Sequence, residues 1–215
     1  MGTKERRERE RQEVRALILD AARELFATAG YEAVTMRMVA EKIEYSPTSI
    51  YLHFRDKQQL VQEICEHDFC SLAAAFQRIA LVADPVERVR QIGLAYVDFA
   101  RAYPHHYRLM FMMPTPPKAP GEVCHERGNP EQDAYAFLRL TIEQVQAAGR
   151  LRPELEDIDL VTQMCWAAVH GVISLHLAKG ADPWVEWRSI SVTAEALIDS
   201  LNRGMFLPPV TTGAH

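Results

Sequence analysis

The stretch from Thr35 to Leu60, TMRMVAEKIEYSPTSIYLHFRDKQQL, decides the reading of this chain. Thr35 stands where a helix N-cap belongs, and the residues from Met36 to Ile43 are apolar at helical intervals. Ser46 predicts a second cap, with Pro47 at the first helical position, where a missing N–H does no harm. Two short helices joined this tightly must cross, which is the helix-turn-helix arrangement. At about 100° per residue, Ile50 and Phe54 share one side of the second helix and Thr48, Ser49 and Leu52 the other. Such a helix can bury its apolar side and offer the other to a DNA major groove. There hydroxyls meet base edges, and Leu52 or the Thr48 methyl can touch a thymine methyl. Tyr51 and His53 lie on the flanks, within reach of phosphate oxygens. Thr35 and Ser46 sit at helix N-termini, which attract phosphate, and Lys57 adds a positive charge. Capping alone also accounts for Thr35 and Ser46.

Working outward, Val14, Leu17, Ile18, Ala21, Ala22, Leu25 and Phe26 recur at three- and four-residue steps, predicting a first helix that ends at Gly30. Residues 1–13, almost wholly charged, are expected to be a flexible arm or a frayed helix start. Downstream, Asp56 predicts a helix to about Leu81. Asp84-Pro85 opens another, ending near Tyr103, and Pro104 a short one through Phe111. Residues 113–130 carry five prolines and two glycines and predict an irregular loop. Further helices are expected from Pro130 to Ala148, Ile158 to Lys179 and Pro183 to Asn202, with Gly149, Gly180 and Gly204 as stops. The Ile158–Lys179 segment has little polar side, which predicts burial nearly all round, in part at a subunit interface. With almost no strand-type alternation, the expected fold is all-α, with about nine helices.

Composition narrows the function. The chain is 48% hydrophobic and 25% charged, as expected of a protein with a real core. Its net charge of −5 argues against binding nucleic acid over the whole surface. Residues 1–60 hold eleven Lys/Arg against ten Asp/Glu, a balance of +1, so the remainder holds −6. Contact with phosphate is therefore expected from the N-terminal part. Cys65, Cys70, Cys124 and Cys165 show neither metal spacing nor a secretory framework. The N-terminus is charged rather than signal-like, and no run of eighteen apolar residues occurs. A reduced, cytoplasmic protein without a membrane partner is expected.

TMRMVAEKIEYSPTSIYLHFRDKQQL closely resembles the DNA-binding segment of the tetracycline-repressor (TetR) family, and ILDAARELFATAGYEAVT, Ile18 to Thr35, resembles that family's first helix and turn. The resemblance covers about Val14 to Leu60. Glu44 occupies the turn position where the family usually has glycine, and Tyr45 stands where an aliphatic residue is usual. The resemblance implies that Thr35, Ser46, Tyr51, His53 and Lys57 hold phosphates, while Arg37, Pro47, Thr48, Ser49 and Leu52 lie near bases. It implies a homodimer whose recognition helices enter successive major grooves of a palindromic double-stranded operator. It also divides the chain into a DNA-binding unit over 1–56 and a ligand-binding and dimerisation unit over 57–215.

The strings YPHHYRLMF, Tyr103 to Phe111, and WAAVHGVISL, Trp166 to Leu175, resemble a subgroup with a Trp–His–Gly signature. On that resemblance Gly171 permits close helix approach, and the last two helices form the dimer interface. Tyr96, Phe99, Tyr103, His106, Phe111, Trp166 and His170 are candidates to line an apolar pocket for a small-molecule effector, although core packing would use the same residue types. Metal sets could be sought at Cys65/His67/Cys70, His105/His106 or Cys124/His125. Cys65 and His67, however, point about 200° apart on a helix, and Cys124-His125 lies in a proline-rich loop with nothing further to support it, so no metal and no cofactor are expected. No phosphate loop, G-x-S-x-G or His-Glu-x-x-His is present, which argues against an enzyme. The expected function is a transcriptional regulator, a repressor released by its effector. The alternatives are a helical ligand- or protein-binding module without DNA function, and a ligand-dependent activator.

Overall fold

The computed structural model describes residues 3–113, 126 and 128–209. Residues 114–125 of the expected irregular loop, including Cys124 and His125, lie outside the described residues. Nine α-helices occur among the described residues: α1 (Thr3–Ala29), α2 (Met36–Lys42), α3 (Pro47–Tyr51), α4 (Lys57–Gln77), α5 (Pro85–Ala102), α6 (Pro104–Tyr107), α7 (Ala134–Ala147), α8 (Ile158–Lys179) and α9 (Ile190–Met205). A π-helical turn, Arg108–Met112, continues α6. Apart from an isolated antiparallel bridge, Leu151 to Phe206, no strand pairing is found among the described residues. The all-α expectation holds.

Of the two expectations for residues 1–13, a flexible arm or a frayed helix start, the described residues show the second: from Thr3 onward they are helix. Arg, Lys, Glu and Gln are good helix formers, and here they pair at four-residue spacing. Arg6 meets Glu10 at 3.2 Å, and the Gln12 amide donates to Glu8 at 2.8 Å. Each such pair favours the helix by a few tenths of a kcal/mol.

Two compact units emerge, residues 1–69 with 103–124 and residues 70–102 with 125–215. This division falls inside α4 rather than at the expected 56/57 boundary. It also groups the 103–113 segment with the N-terminal unit. The reason is visible in the packing: Leu109 joins the core made by Ile18, Ala22, Phe26, Val34, Val39, Ile50, Phe54, Leu60 and Ile64. His106 Nδ1 lies 2.9 Å from the buried Asp68 carboxylate on α4. Burying each large side chain of such a core stabilises the unit by roughly 1.5–3 kcal/mol.

The second unit packs α5, α7, α8 and α9 around Phe76, Ile92, Val97, Phe137, Ile142, Val169, Ile173 and Ile198. Three expected boundaries move. Helix α7 begins after Asp133, not at Pro130, because the Asp133 carboxylate accepts from the N–H groups of Tyr135 and Ala136 at 2.9 and 3.2 Å. Helix α9 begins after Ser189, not at Pro183, with the Ser189 hydroxyl accepting from Val192. It also runs past Gly204 to Met205; beyond it the Leu207 N–H donates to the Arg150 carbonyl at 2.7 Å and the Arg152 N–H to the Met205 carbonyl at 3.1 Å, which sets Phe206 beside Leu151.

Helix α8 was expected to be buried nearly all round, in part at a subunit interface; within the single chain one side of it is buried. Val161, Thr162, Val169, Val172 and Ile173 are buried within the unit, whereas Leu160, Met164, Trp166 and Leu175 are exposed. One helix packed against three neighbours on one side leaves the other uncovered. By length and composition alone it is apolar enough to cross a membrane, as the core helix of a soluble protein also can be. At Gly171, expected to permit close helix approach, a Cβ would meet nothing within 4 Å in this chain. The close crossing lies instead at Gly93 on α5, where a Cβ would stand 2.9 Å from Ile198 Cδ1 of α9.

Candidate nucleic-acid interface and effector site

The α2–α3 unit forms as the capping pattern requires. The Thr35 hydroxyl accepts from Met38 N–H and the Ser46 hydroxyl from Ser49 N–H, each at 3.2 Å. Pro47 stands at the first position of α3. Between the helices Glu44 takes φ 60°, the one positive φ of a non-glycine residue among the described residues. The turn thus demands a left-handed residue where the sequence supplies Glu.

On α3, Ile50 and the following Phe54 are fully buried, while Thr48 is exposed, Tyr51 is 55% and Leu52 74% exposed. Ser49 is half-buried and shares a 2.9 Å hydroxyl contact with Ser46. Thr48, Tyr51 and Leu52 therefore stand together on the side opposite the core, and Ser49 is drawn toward its cap. Arg37 is exposed on α2, its guanidinium donating to Glu41 at 2.8 Å, which raises its pKa.

Two expected phosphate residues are placed differently from a simple surface cation or donor. The Lys57 ammonium donates to the carbonyls of Tyr31 and Val34 at 2.7 and 3.0 Å and lies 4.2 Å from the Tyr31 ring centre. Its charge closes the turn after α1 as well as lying near the interface. His53 is half-buried, and its Nδ1 is buried without a hydrogen-bond partner. Desolvation first, then the charges of Arg11 and Arg15, lower its pKa, so at neutral pH the ring is an uncharged donor rather than a cation. Tyr45, 41% exposed, and Arg11, whose charge reaches His53, were missed as interface candidates. Arg11 was hidden because its charged surroundings read as an arm or a frayed helix start.

The seven effector candidates separate into two groups, one in each compact unit. Tyr103, His106 and Phe111 belong to the first, where the Tyr103 and His106 rings pack at 4.9 Å with their planes tilted by 49° and Phe111 meets Phe69 edge-on at 5.6 Å. Tyr96, Phe99, Trp166 and His170 belong to the second. There the Trp166 indole donates to the Tyr96 hydroxyl at 3.0 Å, and that hydroxyl lies 3.4 Å from His170 Nδ1. Tyr135 packs edge-on against Trp166 at 5.9 Å, a neighbour the sequence did not single out. Burial lowers the His170 pKa, leaving the cluster uncharged near neutrality. Phe99, one turn along α5 from Tyr96, is buried. Burial pushes the nearby Cys165 thiol up to about 12, which keeps it protonated and unreactive. Among the described residues, no three His, Cys, Asp or Glu side chains converge on a point that could hold a metal.

Known proteins share both halves of this arrangement. Residues 18–64 match the family described as bacterial regulatory proteins, tetR family. Residues 89–201, more than half of the chain, match the tetracyclin repressor-like C-terminal domain. The HTH-type transcriptional regulator UidR of Escherichia coli is 32% identical over 90 residues, 42% of this chain and 40% of that protein, so the match spans less than half its length. The HTH-type transcriptional repressor KstR2 of Mycobacterium tuberculosis is 27% identical over 153 residues, 68% of this chain and 73% of that protein. Among solved structures, the regulator PfmR of Thermus thermophilus superposes with a TM-score of 0.69 at 22% identity, covering 86% of this chain and 97% of that one. A protein of unknown function from Rhodococcus superposes equally well, at 24% identity over 89% and 94% of the two chains. At these identities the likeness to solved structures concerns the fold alone.

Proposed function

Because this chain belongs to the TetR family of bacterial regulatory proteins, we propose that it is a sequence-specific transcriptional regulator, a repressor released from its operator by a small molecule. The observation that carries this reading is the division of α3. One side is wholly buried in the core through Ile50, and the other presents Thr48, Tyr51 and Leu52 outward from a capped, proline-started helix. Thr48, Leu52 and, at the edge, Pro47, Ser49 and Arg37 are assigned to bases. Thr35, Ser46, Tyr51, His53 and Lys57 are assigned to phosphates.

The exposed apolar side of α8, with Leu160, Met164 and Leu175, and Val192 on α9, is the surface assigned to a second copy of the chain. A symmetric dimer matches a palindromic operator with half-sites about one helical turn apart. The effector is assigned to the neighbourhood of Tyr96, Phe99, Trp166 and His170, where uncharged donors suit a largely apolar molecule with one or two oxygens. It works only if it prefers the form of the dimer that cannot span both half-sites, since equal affinity for both forms would shift nothing. Helix α4, continuous from Lys57 to Gln77, is the segment that carries the change along the chain.

The test is a mobility-shift assay with duplexes selected from a random pool and with DNA upstream of the protein's own gene. Recovery of a palindrome bound in a salt-sensitive way is the expected result. Absence of any selected sequence would overturn the reading in favour of a helical binding module.

A further inference from the structure

The helical face of α1 that buries Ile18, Ala22 and Phe26 does not stop where the core ends. Followed toward the N-terminus at three- and four-residue steps, it passes through Arg15, Arg11, Arg7 and Lys4. The face that is apolar over the core thus becomes a row of cations beyond it. Several other polar side chains on these turns have partners, Glu8 beside the row among them. Arg6 meets Glu10, Glu8 accepts from Gln12, and Arg9 also has a partner. Lys4, Arg7 and Arg11 have no carboxylate partner among the described residues. The row starts beside the recognition helix. Arg15 donates to the His53 carbonyl at 2.7 Å, two residues past the end of α3, and the Arg11 charge is felt by the His53 ring. From Arg11 to Lys4 the helix advances about 10 Å, a length over which duplex DNA presents several phosphates. Arg15, the member of the row nearest α3, pairs with Glu63, whereas Lys4, Arg7 and Arg11 beyond it do not, a local exception in a chain of net charge −5.

We propose that Lys4, Arg7 and Arg11 form a phosphate-binding stripe that carries the DNA contact of α2 and α3 outward along α1. This rests on the DNA-binding reading above and adds to it a second contact surface, one that contributes affinity without reading bases.

The experiment measures affinity for the selected operator duplex from 50 to 200 mM salt by fluorescence anisotropy. Wild type is compared with the Arg7→Ala/Arg11→Ala and Arg7→Lys/Arg11→Lys double variants and with Arg6→Ala on the opposite face. Alanine preserves the helix, which circular dichroism checks. The stripe predicts that the alanine pair lowers the slope of log K against log salt by about 2, so that wild type loses about tenfold more affinity over this range than the variant. Base preference stays unchanged, the lysine pair keeps the wild-type slope, and Arg6→Ala has no effect. An unchanged slope in the alanine pair, or an equal loss in Arg6→Ala, overturns the stripe while leaving the DNA reading intact. Failure of the wild-type protein to bind overturns the DNA reading and the stripe with it.

Discussion

Arg23 and Asp68 meet as a fork inside the N-terminal unit. The Arg23 Nε donates to Oδ2 at 3.0 Å and Nη2 to Oδ1 at 2.9 Å, with both side chains buried. The same carboxylate lies 2.9 Å from His106 Nδ1, so one acidic side chain ties α1, α4 and α6 together across 45 and 38 positions of sequence. Two parallel charge-assisted bonds fix orientation as well as energy.

Breaking this fork deprives a buried charge of its bidentate partner, leaving Arg23 to Asp20 at 2.6 Å, or Asp68 to the imidazole of His106 at 2.9 Å. Asp68→Ala and Arg23→Ala are each expected to lower stability by about 3–5 kcal/mol in denaturant unfolding. The double change Arg23→Met/Asp68→Leu, which removes both charges and keeps volume, should recover most of that loss. If the single variants unfold like wild type, the pair is not the tie described here.

On α3 the exposed residues separate by role. Tyr51→Phe should weaken binding to all duplexes by a similar factor. Leu52→Ala or Thr48→Val should shift preference at one base pair by about 1 kcal/mol or more. Operator selection repeated with each variant distinguishes these outcomes, and a uniform loss from Leu52→Ala would remove it from the base-facing set.

The left-handed Glu44 makes a prediction of opposite signs. A side chain at φ 60° costs about 1–2 kcal/mol, and glycine removes that at an entropic cost of about 0.5–1 kcal/mol. Glu44→Gly should therefore leave the thermal midpoint unchanged or raise it by a few degrees. Glu44→Val, β-branched in the same conformation, should lower it clearly. A drop on introducing glycine would show that Glu44 makes a contact outweighing the strain.

His170 carries a pH dependence of defined sign. Burial lowers its pKa below the ordinary 6.5, so the unfolded chain takes up a proton at higher pH than the folded one. This contribution to stability is whole above that value and falls as pH drops through it, until the folded-state pKa is reached. His53 has the same sign, from burial and from Arg11 and Arg15. Unfolding curves between about pH 7 and 5 should lose slope in His170→Phe. An unchanged slope would mean that folding does not lower the His170 pKa.

The local pieces were readable because they rest on near neighbours. Thr35, Ser46 and Pro47 set α2 and α3 through bonds three residues long, and the period of apolar residues placed Ile50 and Phe54 in the core. The Glu44 turn was marked as unusual through the resemblance, since the TetR family usually has glycine there. Boundaries set by a competing cap were misjudged, as at Ser189 and Asp133, because proline is permitted at a helix start but does not compel one.

Sequence by itself thus determined the helical class, the helix-turn-helix and the side of α3 that faces outward, since each follows from periodicity and capping within a few residues. Only the tertiary structure decided that Asp68 gathers Arg23 and His106, that Lys57 bonds back to the turn at Tyr31 and Val34, and that α8 keeps one apolar side uncovered. It also decided between arm and helix for the charged start of the chain, giving a helix with a cationic face. The physical reason is range: a carboxylate's partner, or the covering of a helix face, depends on residues dozens of positions away, and no local pattern records which of them arrive.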